Sequence, residues 1–554
     1  MGWTELRHRG FELGCSVIGL RGSADRTVSP GSPEAVVRRL DHRETVEFRR
    51  IRLLGGTGAV VMGVSALGVG ALPVYQNPLS GVAVAGLFAR VPTAMLAMCM
   101  IGVVAVVVAW LLLGRFAVGA VGRISVGQLE GTLLVWGLPL VVAPPMFSTD
   151  VYSYLAQSEI AQRGMDPYVV GPATGLGLGD VLTRNVPNIW RETPAPYEPL
   201  FLWIGRGIAE ITGDSVVFGV WAHRGLELGG LALIVWALPR LARRCGVPPV
   251  AALWLGAANP LVLFHLVSGV HNETLMLGLM LAGVEVCLRG IPEGGGSGAA
   301  SIDRKGWGLL VFGVVLIALA AMVKVPAIIA LGFVGAALAR RWGTRPGPLL
   351  AVAAGFAAVA ATTMMLVCWG SGLGFGWIHT LGVAGAVRSW MSLPTALGVV
   401  TGFGGALLGL GDHTTALLSV TRPIAVVAAG FVSLRRLMAT WGGRIHPVGG
   451  LGVAFSAIVL LSPVAQPWYL LWAIMPLAAW ATTRTFRAPA IALSAVVALL
   501  QMPRGADFGV LQIIQAASAT AIVAVVFIAL TRHTLPWRFT LPGMERSLAQ
   551  STQD

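Results

Sequence analysis

Apolar runs of about 18 residues or more recur along this 554-residue chain, and they constrain the fold more than any other feature. A helix of that length crosses the hydrocarbon core of a bilayer, where every backbone polar group must be satisfied internally. Only 12% of the residues are charged, about half the fraction found in a typical soluble domain. The sequence therefore predicts an all-α polytopic membrane protein with about 13–15 transmembrane or re-entrant helices.

The positive charge of the chain has an explanation that does not involve nucleic acid. The formal net charge is +14, but the arginines form short clusters between apolar runs, as the positive-inside rule predicts. The five cysteines are scattered, with no CxxC pair and no histidine at metal-ligand spacing. We therefore expect membrane lipids as surroundings, no nucleic-acid partner, and no metal or other cofactor.

The distribution of charge also predicts an orientation in the cell membrane. Residues 1–50 are polar and Arg-rich, without the apolar core of a secretory signal, so we expect a partly disordered cytoplasmic tail and no cleavable signal peptide. A membrane domain over 51–535 and a cytoplasmic C-terminal tail over 536–554 follow. The longest polar stretch, 147–214, then forms a large extracytoplasmic loop. Counting 393–411 as a crossing would put later arginine clusters outside, so we expect that run to be re-entrant or to lie flat.

Polar and aromatic residues that interrupt the apolar pattern all lie on the outer side in this topology. They are Asp150, Asp166, Tyr168, Trp190, Tyr197, Glu198, His271, Asn272, Glu273, Lys324, Arg388, Trp390, Gln466, Trp468, Tyr469 and Arg504. An ionisable group at the membrane edge costs about 2.5–3.5 kcal/mol on insertion scales, which favours a functional interpretation. For the tryptophans and Arg504, anchoring at the membrane interface explains their positions equally well. The carboxylates, His271 and Lys324 are not typical anchors, so they indicate one outward-facing site.

Asp150 allows two interpretations. It follows the third apolar run and opens a helical stretch, VYSYLAQSEIAQRG, so Ser148, Thr149 or Asp150 could simply cap that helix. Alternatively, Asp150 is a carboxylate that faces a polar groove and accepts a proton from a hydroxyl group. The chain lacks the GxSxG, HExxH, P-loop and kinase signatures that would indicate other chemistry.

Five segments, in order, resemble a known family. They are FSTDVYSYLAQSEIAQRGMDPY, NVPNIWRETPAPYEPLFLW, NPLVLFHLVSGVHNE, MVKVPA and SPVAQPWYLLW. The chain resembles the class C glycosyltransferases (GT-C), and more closely the actinobacterial polyprenol-phosphate-mannose-dependent α-(1→6) mannosyltransferases of lipomannan and lipoarabinomannan biosynthesis. The resemblance covers about residues 50–535.

This resemblance implies a GT-C-type fold with extracytoplasmic active-site loops, a polyprenyl-phosphate-mannose donor and a lipid-anchored mannan acceptor. It implies that Asp150 is the catalytic base of an inverting transfer. Lys324, Arg388 and His271 are then expected at the donor phosphate and lipid. The residues expected at the acceptor or sugar are Asp166, Tyr168, Trp190, Tyr197, Asn272, Glu273, Gln466, Trp468 and Tyr469. One departure is Glu198, which stands in PAPYEPL where the family pattern has glycine.

Two other functions remain as alternatives. A transporter or flippase of a lipid-linked sugar would also need a polar cavity within the membrane. It would be expected to show internal repeats and polar residues on both sides of the midplane, and the sequence shows no convincing repeat. A scaffold in an envelope-synthesis complex would leave the polar residues scattered.

Overall fold

Helices make up the architecture in the computed structural model, which describes residues 39–118, 124–292, 301–383, 389, 391–504, 507–535 and 537. No strand occurs in these residues. The helices in chain order are α1 (His42–Val69), α2 (Ala85–Arg90), α3 (Pro92–Val118), α4 (Val126–Val142), α5 (Asp150–Gln162), α6 (Pro172–Gly175), α7 (Val181–Asn185), α8 (Pro199–Thr212), α9 (Val216–Arg244), α10 (Pro249–Leu255), α11 (Glu273–Gly290), α12 (Arg304–Ala321), α13 (Ile329–Ala339), α14 (Pro346–Ser371), α15 (Trp377–Thr380), α16 (Leu393–Leu407), α17 (Thr414–Trp441), α18 (Pro447–Leu461), α19 (Leu470–Trp480), α20 (Arg484–Leu499) and α21 (Val510–Thr531).

Single turns of other helix types lie between several of these helices. Four are 3₁₀ turns: Asn188–Trp190, Val325–Ile328, Arg340–Trp342 and Pro467–Tyr469. A π-helical segment covers Val262–Ser268. Such interruptions expose backbone groups and redirect the chain, so they are places where side chains of different helices can meet.

Eight helices of the described chain are long and apolar enough to cross a membrane. They are α1, α3, α9, α12, α13 together with its flanking 3₁₀ turns, α14, α17 and α21, and four shorter apolar helices, α4, α16, α18 and α20, accompany them. Several of the long helices, α21 among them, carry large exposed apolar side chains such as Val525 and Leu530, which suits contact with lipid rather than water. The prediction of an all-α, multi-pass membrane protein is confirmed.

Three predicted elements have different shapes in the structure. The fifth predicted span, 250–267, is not one helix, because α10 ends at Leu255 and a π-helical segment begins at Val262. The predicted loop 147–214 is a layer of four helices, α5 to α8, with one 3₁₀ turn. The run 393–411 contains the 15-residue helix α16, which is shorter than the other candidate spans. The N-terminal basic stretch is continuous with the first span, since α1 begins at His42.

The outer helix α5 is anchored from below by α1 and beside it by α8. Nearly all of its residues are buried, although it was predicted within a loop. The hydroxyl of Tyr152 donates a hydrogen bond to the carbonyl oxygen of Ala71, just past the end of α1. Tyr154 packs edge-on against Phe201 of α8, with ring centroids 4.9 Å apart. These contacts fix the first turn of α5, where Asp150 lies.

Close backbone contact joins α9 to α11, the helix that begins at Glu273. A Cβ atom on Gly230 would lie 2.6 Å from the Cα and nitrogen atoms of Leu275. Only glycine permits this approach, as in other helix pairs that pack through small residues in membranes. The position of the first turn of α11 therefore depends on Gly230.

We predict that Gly230→Ala destabilises the protein by about 1–3 kcal/mol, because the added methyl group meets backbone that cannot move aside. The adjacent Gly229 is the matched control, because a Cβ atom added there would have no neighbour within 4 Å. Gly229→Ala should leave the melting temperature unchanged or raise it slightly, since alanine favours a helix by about 0.5–1 kcal/mol. Thermal unfolding in detergent measures both, and equal melting temperatures for the two variants would contradict the prediction.

Candidate active site

Four helix beginnings and turns bring polar side chains together at one place. Asp150 is the first residue of α5, and Glu273 is the first residue of α11. Lys324 lies in the break between α12 and the following 3₁₀ turn, and Trp468 lies in the 3₁₀ turn that precedes α19. These segments are far apart in the chain, so the convergence of their side chains is a property of the fold.

Glu273 is the centre of the cluster. Its side chain is 0% exposed, and one carboxylate oxygen, Oε1, accepts a hydrogen bond from the indole nitrogen of Trp468 at 3.0 Å. The same oxygen pairs with the Nζ atom of Lys324. The other oxygen, Oε2, lies 3.8 Å from Nδ1 of His271. A buried carboxylate needs such partners, because desolvation of an unpaired charge costs several kcal/mol.

Lys324 carries the positive charge of the cluster. Its side chain is 19% exposed, and its Nζ atom lies 5.1 Å from the centre of the Tyr469 ring, within cation–π range. Burial opposes the charged form, but the carboxylate of Glu273 outweighs burial and holds the pKa of Lys324 above its usual value. The lysine therefore stays charged and already has a counter-ion.

His271 lies between the carboxylates and an aromatic side chain. Its ring stacks on Trp468, with centroids 3.7 Å apart and planes at 26°. Burial, with the nearby charge of Lys324, holds the pKa of His271 well below its usual value, so the ring is neutral. Within the described chain Nε2 has no hydrogen-bond partner, whereas Nδ1 faces carboxylates of Asp150 and Glu273. This arrangement favours the tautomer that carries its proton on Nδ1.

Asp150 is the carboxylate of the cluster that faces outward. Its Oδ2 atom lies 3.6 Å from Nδ1 of His271, and 33% of its side chain is exposed. Burial and the charge of Glu273 raise the pKa of Asp150 to about 6. Thr149 is the N-cap residue of α5 without a side-chain capping bond, and the hydroxyl of Ser148 accepts the Asp150 N–H at 3.1 Å. Asp150 can therefore exchange a proton with a bound ligand near neutral pH.

Glu198 links the outer helices to the Lys324 turn. It is the N-cap residue of α8, and its Oε1 atom accepts a hydrogen bond from the Val325 backbone N–H at 3.1 Å. Two residues later, the Leu200 N–H donates to the Met322 carbonyl oxygen at 3.1 Å. Burial raises the pKa of Glu198 to about 8. The carboxyl group that replaces the family's glycine thus braces the backbone beside Lys324.

The backbone is strained on the two approaches to the site. Phe147 and Val270 have positive φ angles of 62° and 56°, which bulky and β-branched residues rarely adopt. Phe147 lies three residues before Asp150, and Val270 immediately precedes His271. Strain of this kind persists only where the surrounding structure enforces it, and it concentrates at functional sites.

Tyr197, Gln466 and Asn272 lie near the cluster with less defined roles. Tyr197 packs edge-on against Tyr154 at 4.9 Å, and burial with the charge of Asp150 raises its pKa well above the usual value. The carbonyl oxygen of Gln466 accepts the Tyr469 N–H at 3.0 Å and shapes the 3₁₀ turn. Asn272 is fully buried, and its amide atoms have no hydrogen-bond partner among the described residues.

Other predicted site residues are not brought to this cluster by any contact in the described chain. Asp166 is exposed and closes its own turn by accepting the Tyr168 N–H at 2.8 Å. Tyr168 belongs to a separate apolar cluster with Met322 and Trp377. Trp190 lies half-buried in a 3₁₀ turn against the core. Arg388 lies outside the described residues, as does Trp390.

Two residues near the site were missed because they lie within an apolar run. Arg224 and Glu227 are buried in α9, inside the fourth predicted span. The segment WAHRGLEL carries three titratable side chains in five positions of a candidate membrane helix. The rule that ionisable residues in such helices have a function would have identified them.

No group of three or more histidine, cysteine, aspartate or glutamate side chains in the described part of the chain is arranged to hold a metal ion. The cluster is therefore defined by one exposed carboxylate, a buried carboxylate–lysine pair and a neutral imidazole between aromatic rings. Such a site can take a proton from one ligand group and stabilise negative charge on another.

Comparisons with known proteins place this geometry in a family. The family described as α-(1→6)-mannopyranosyltransferase, N-terminal domain, matches residues 52–340, and the MptB C-terminal domain matches residues 394–530. No solved structure matches the chain.

Relatives match over nearly the whole chain. A probable α-(1→6)-mannopyranosyltransferase of Mycolicibacterium smegmatis is 52% identical over 92% of this chain and 93% of its own length. An α-(1→6)-mannopyranosyltransferase of Mycobacterium tuberculosis is 52% identical over 92% of both chains. The α-(1→6)-mannopyranosyltransferase B of Corynebacterium glutamicum is 41% identical over 84% of this chain and 79% of its own. With its multi-pass helical fold, the chain belongs to the actinobacterial α-(1→6)-mannopyranosyltransferase family.

Proposed function

We propose that this protein is an inverting class C glycosyltransferase that moves mannose from polyprenyl-phosphate-mannose to a lipid-linked mannan. The new bond is an α-(1→6) linkage in lipomannan and lipoarabinomannan assembly. The observation that carries the proposal is the placement of Asp150. Its partly exposed carboxylate lies 3.6 Å from His271 and beside the buried Glu273–Lys324 pair.

In the proposed reaction, Asp150 accepts the proton of the acceptor's primary hydroxyl group as that oxygen attacks the anomeric carbon of the donor. The bond from the anomeric carbon to the phosphate oxygen breaks, and the polyprenyl phosphate leaves with the electron pair. A β-linked donor gives an α-linked product by single displacement. Because the leaving group is already a phosphate, the reaction needs no general acid, and the proposal includes no metal.

Lys324 is proposed to stabilise the charge that develops on the leaving phosphate. Its pairing with Glu273 adds a condition to this role, because the phosphate must share the ammonium group with a carboxylate or displace it. Glu198 supports the role by holding the adjacent Val325 backbone in place. The aromatic ring of Tyr469 lies on the other side of the Lys324 side chain.

The direct test is an assay of the purified protein with polyprenyl-phosphomannose and a short α-(1→6)-linked oligomannoside. Elongation of the oligomannoside by one mannose with release of polyprenyl phosphate supports the proposal. Movement of the lipid-linked sugar across proteoliposome membranes without transfer would instead support the flippase alternative.

We predict that the active site faces outward and the N-terminus faces the cytoplasm. Leu178 is 66% exposed in the turn between α6 and α7, so a cysteine there should react with a membrane-impermeant maleimide on intact cells. Lys305, exposed near the start of α12, is the control, and Lys305→Cys should react only after lysis. Labelling of the parent chain gives the background, and reversal of the two patterns would exclude the proposed orientation.

We predict that Asp150→Asn lowers kcat by about a hundredfold or more, because asparagine keeps the shape but cannot accept a proton. The wild-type kcat should fall as the pH drops below about 6, since the base must be deprotonated and burial raises its pKa to that value. Steady-state kinetics across pH measure both effects. If Asp150→Asn turned over within a few-fold of wild type, the base would lie elsewhere.

We predict that Lys324 controls donor binding. Lys324→Met alone would leave Glu273 buried without its counter-ion, so the informative variant combines Lys324→Met with Glu273→Gln. This double variant should stay folded and raise the donor KM by about thirtyfold, which corresponds to about 2 kcal/mol for a lost charge pair. The control is Lys305→Met, which removes the other lysine of the chain. A donor KM equal to wild type in a folded double variant would refute the role of Lys324.

A further inference from the structure

Two charged residues lie one helical turn apart inside α9, at Arg224 and Glu227. Both are 2% exposed, although α9 is one of the helices long and apolar enough to cross a membrane. A charge in such a helix is costly and is retained where it has a specific partner. Residues three apart lie on the same face of a helix, so both side chains extend toward the same neighbours.

Arg224 joins the two chain segments that lead into the site. Its Nη1 atom donates hydrogen bonds to the carbonyl oxygens of Val141 at 2.6 Å and Ala143 at 2.9 Å, at the end of α4. Its Nη2 atom donates to the carbonyl oxygen of Ser268 at 3.4 Å. The last carbonyls of a helix have no partner within it and carry partial negative charge, so a guanidinium group suits them. The first two lie upstream of Asp150, and Ser268 lies three residues before His271.

Glu227 contacts the opposite pole of another helix. Its Oε2 atom accepts a hydrogen bond from the Leu275 N–H at 3.0 Å. Leu275 is the third residue of α11, where backbone N–H groups lack partners in the helix and carry partial positive charge. The carboxylate therefore fixes the first turn of α11, in which Glu273 lies.

These contacts point to a common purpose. We propose that Arg224 and Glu227 are positioning residues that set the separation between Asp150 and the turn containing His271 and Glu273. Neither side chain reaches the surface of the site, so neither touches substrate. The inference rests on the proposed function, because it assigns the two residues a role in the rate of mannosyl transfer.

The strained residues supply independent support. Phe147 lies between the Arg224 contacts and Asp150, and Val270 lies between Ser268 and His271. A positive φ angle at a bulky residue costs about 1–3 kcal/mol and persists only where the flanking chain is held. Arg224 holds the chain on the far side of both strained residues. Loss of that hold would let both segments relax and would move Asp150 relative to His271.

A double-mutant cycle tests the proposal. Arg224→Leu should lower kcat by about tenfold or more, because small displacements of a reacting group are costly in rate, while the donor KM changes little. In the Asp150→Asn background, Arg224→Leu should cause no further loss, because its effect acts through Asp150. Multiplication of the two losses would overturn the proposal, since damage unrelated to the base multiplies.

Arg206→Leu is the matched control for general damage. Arg206 also donates from its guanidinium group to a backbone carbonyl, that of Ser371 at 2.9 Å, but it joins α8 to α14 away from the cluster. Its kcat should equal that of the wild type at a comparable loss of melting temperature. A fall in kcat like that of Arg224→Leu would show that any lost helix contact slows the enzyme, and would overturn the proposal.

Glu227 offers a rescue test. Glu227→Leu removes the acceptor for the Leu275 N–H and should lower kcat, whereas Glu227→Gln keeps an oxygen acceptor and should recover most of that loss. Equal loss in the two variants would overturn the role of this hydrogen bond. If Arg224→Leu does not fold, Arg224→Lys, which keeps the charge but reaches fewer carbonyls, replaces it in the cycle with the same criteria. Absence of transfer by the wild type would refute the proposed function itself, whereas an active wild type with multiplicative losses refutes only this inference.

Discussion

Buried backbone that leaves a helix must find new hydrogen-bond partners, and this requirement organises the site. Asp150, His271, Lys324 and Trp468 each lie where a helix begins or breaks. At two of these places α9 supplies the missing partner, through Arg224 at the end of α4 and Glu227 at the start of α11. A third is supplied by Glu198, which binds the backbone after Lys324. The cluster is therefore held by charges that face helix ends.

The sequence predicted the side of the membrane on which the polar residues lie better than it predicted their distances. Asp150, His271, Glu273 and Lys324 were expected together because each occupies a turn between apolar runs, and the structure brings all four within a few ångströms of a neighbour in the set. A shared side says nothing about separation. Asp166 lies on the same stretch yet serves only its own turn.

Other features were invisible for physical reasons. Hydrophobicity over a window averages away single charges, so Arg224 and Glu227 disappeared into a predicted span although they are buried at its centre. The outer stretch 147–214 looked like a loop because its prolines and polar residues interrupt periodicity, but short helices tolerate such interruptions at their ends. Glu198 differed from the family pattern, and only the structure identifies its partner, the Val325 N–H.

The pairing of Lys324 with Glu273 has a consequence for which anions the site admits. A free lysine would attract any small anion, including inorganic phosphate, whereas this lysine is already neutralised by a carboxylate that is 0% exposed. An incoming phosphate must therefore bring enough additional binding energy to compete with that internal counter-ion. A phosphate attached to a sugar and a long lipid brings such energy, and a dissolved ion does not. The internal ion pair thus acts as a threshold that separates a membrane-borne substrate from the salts of the surrounding medium.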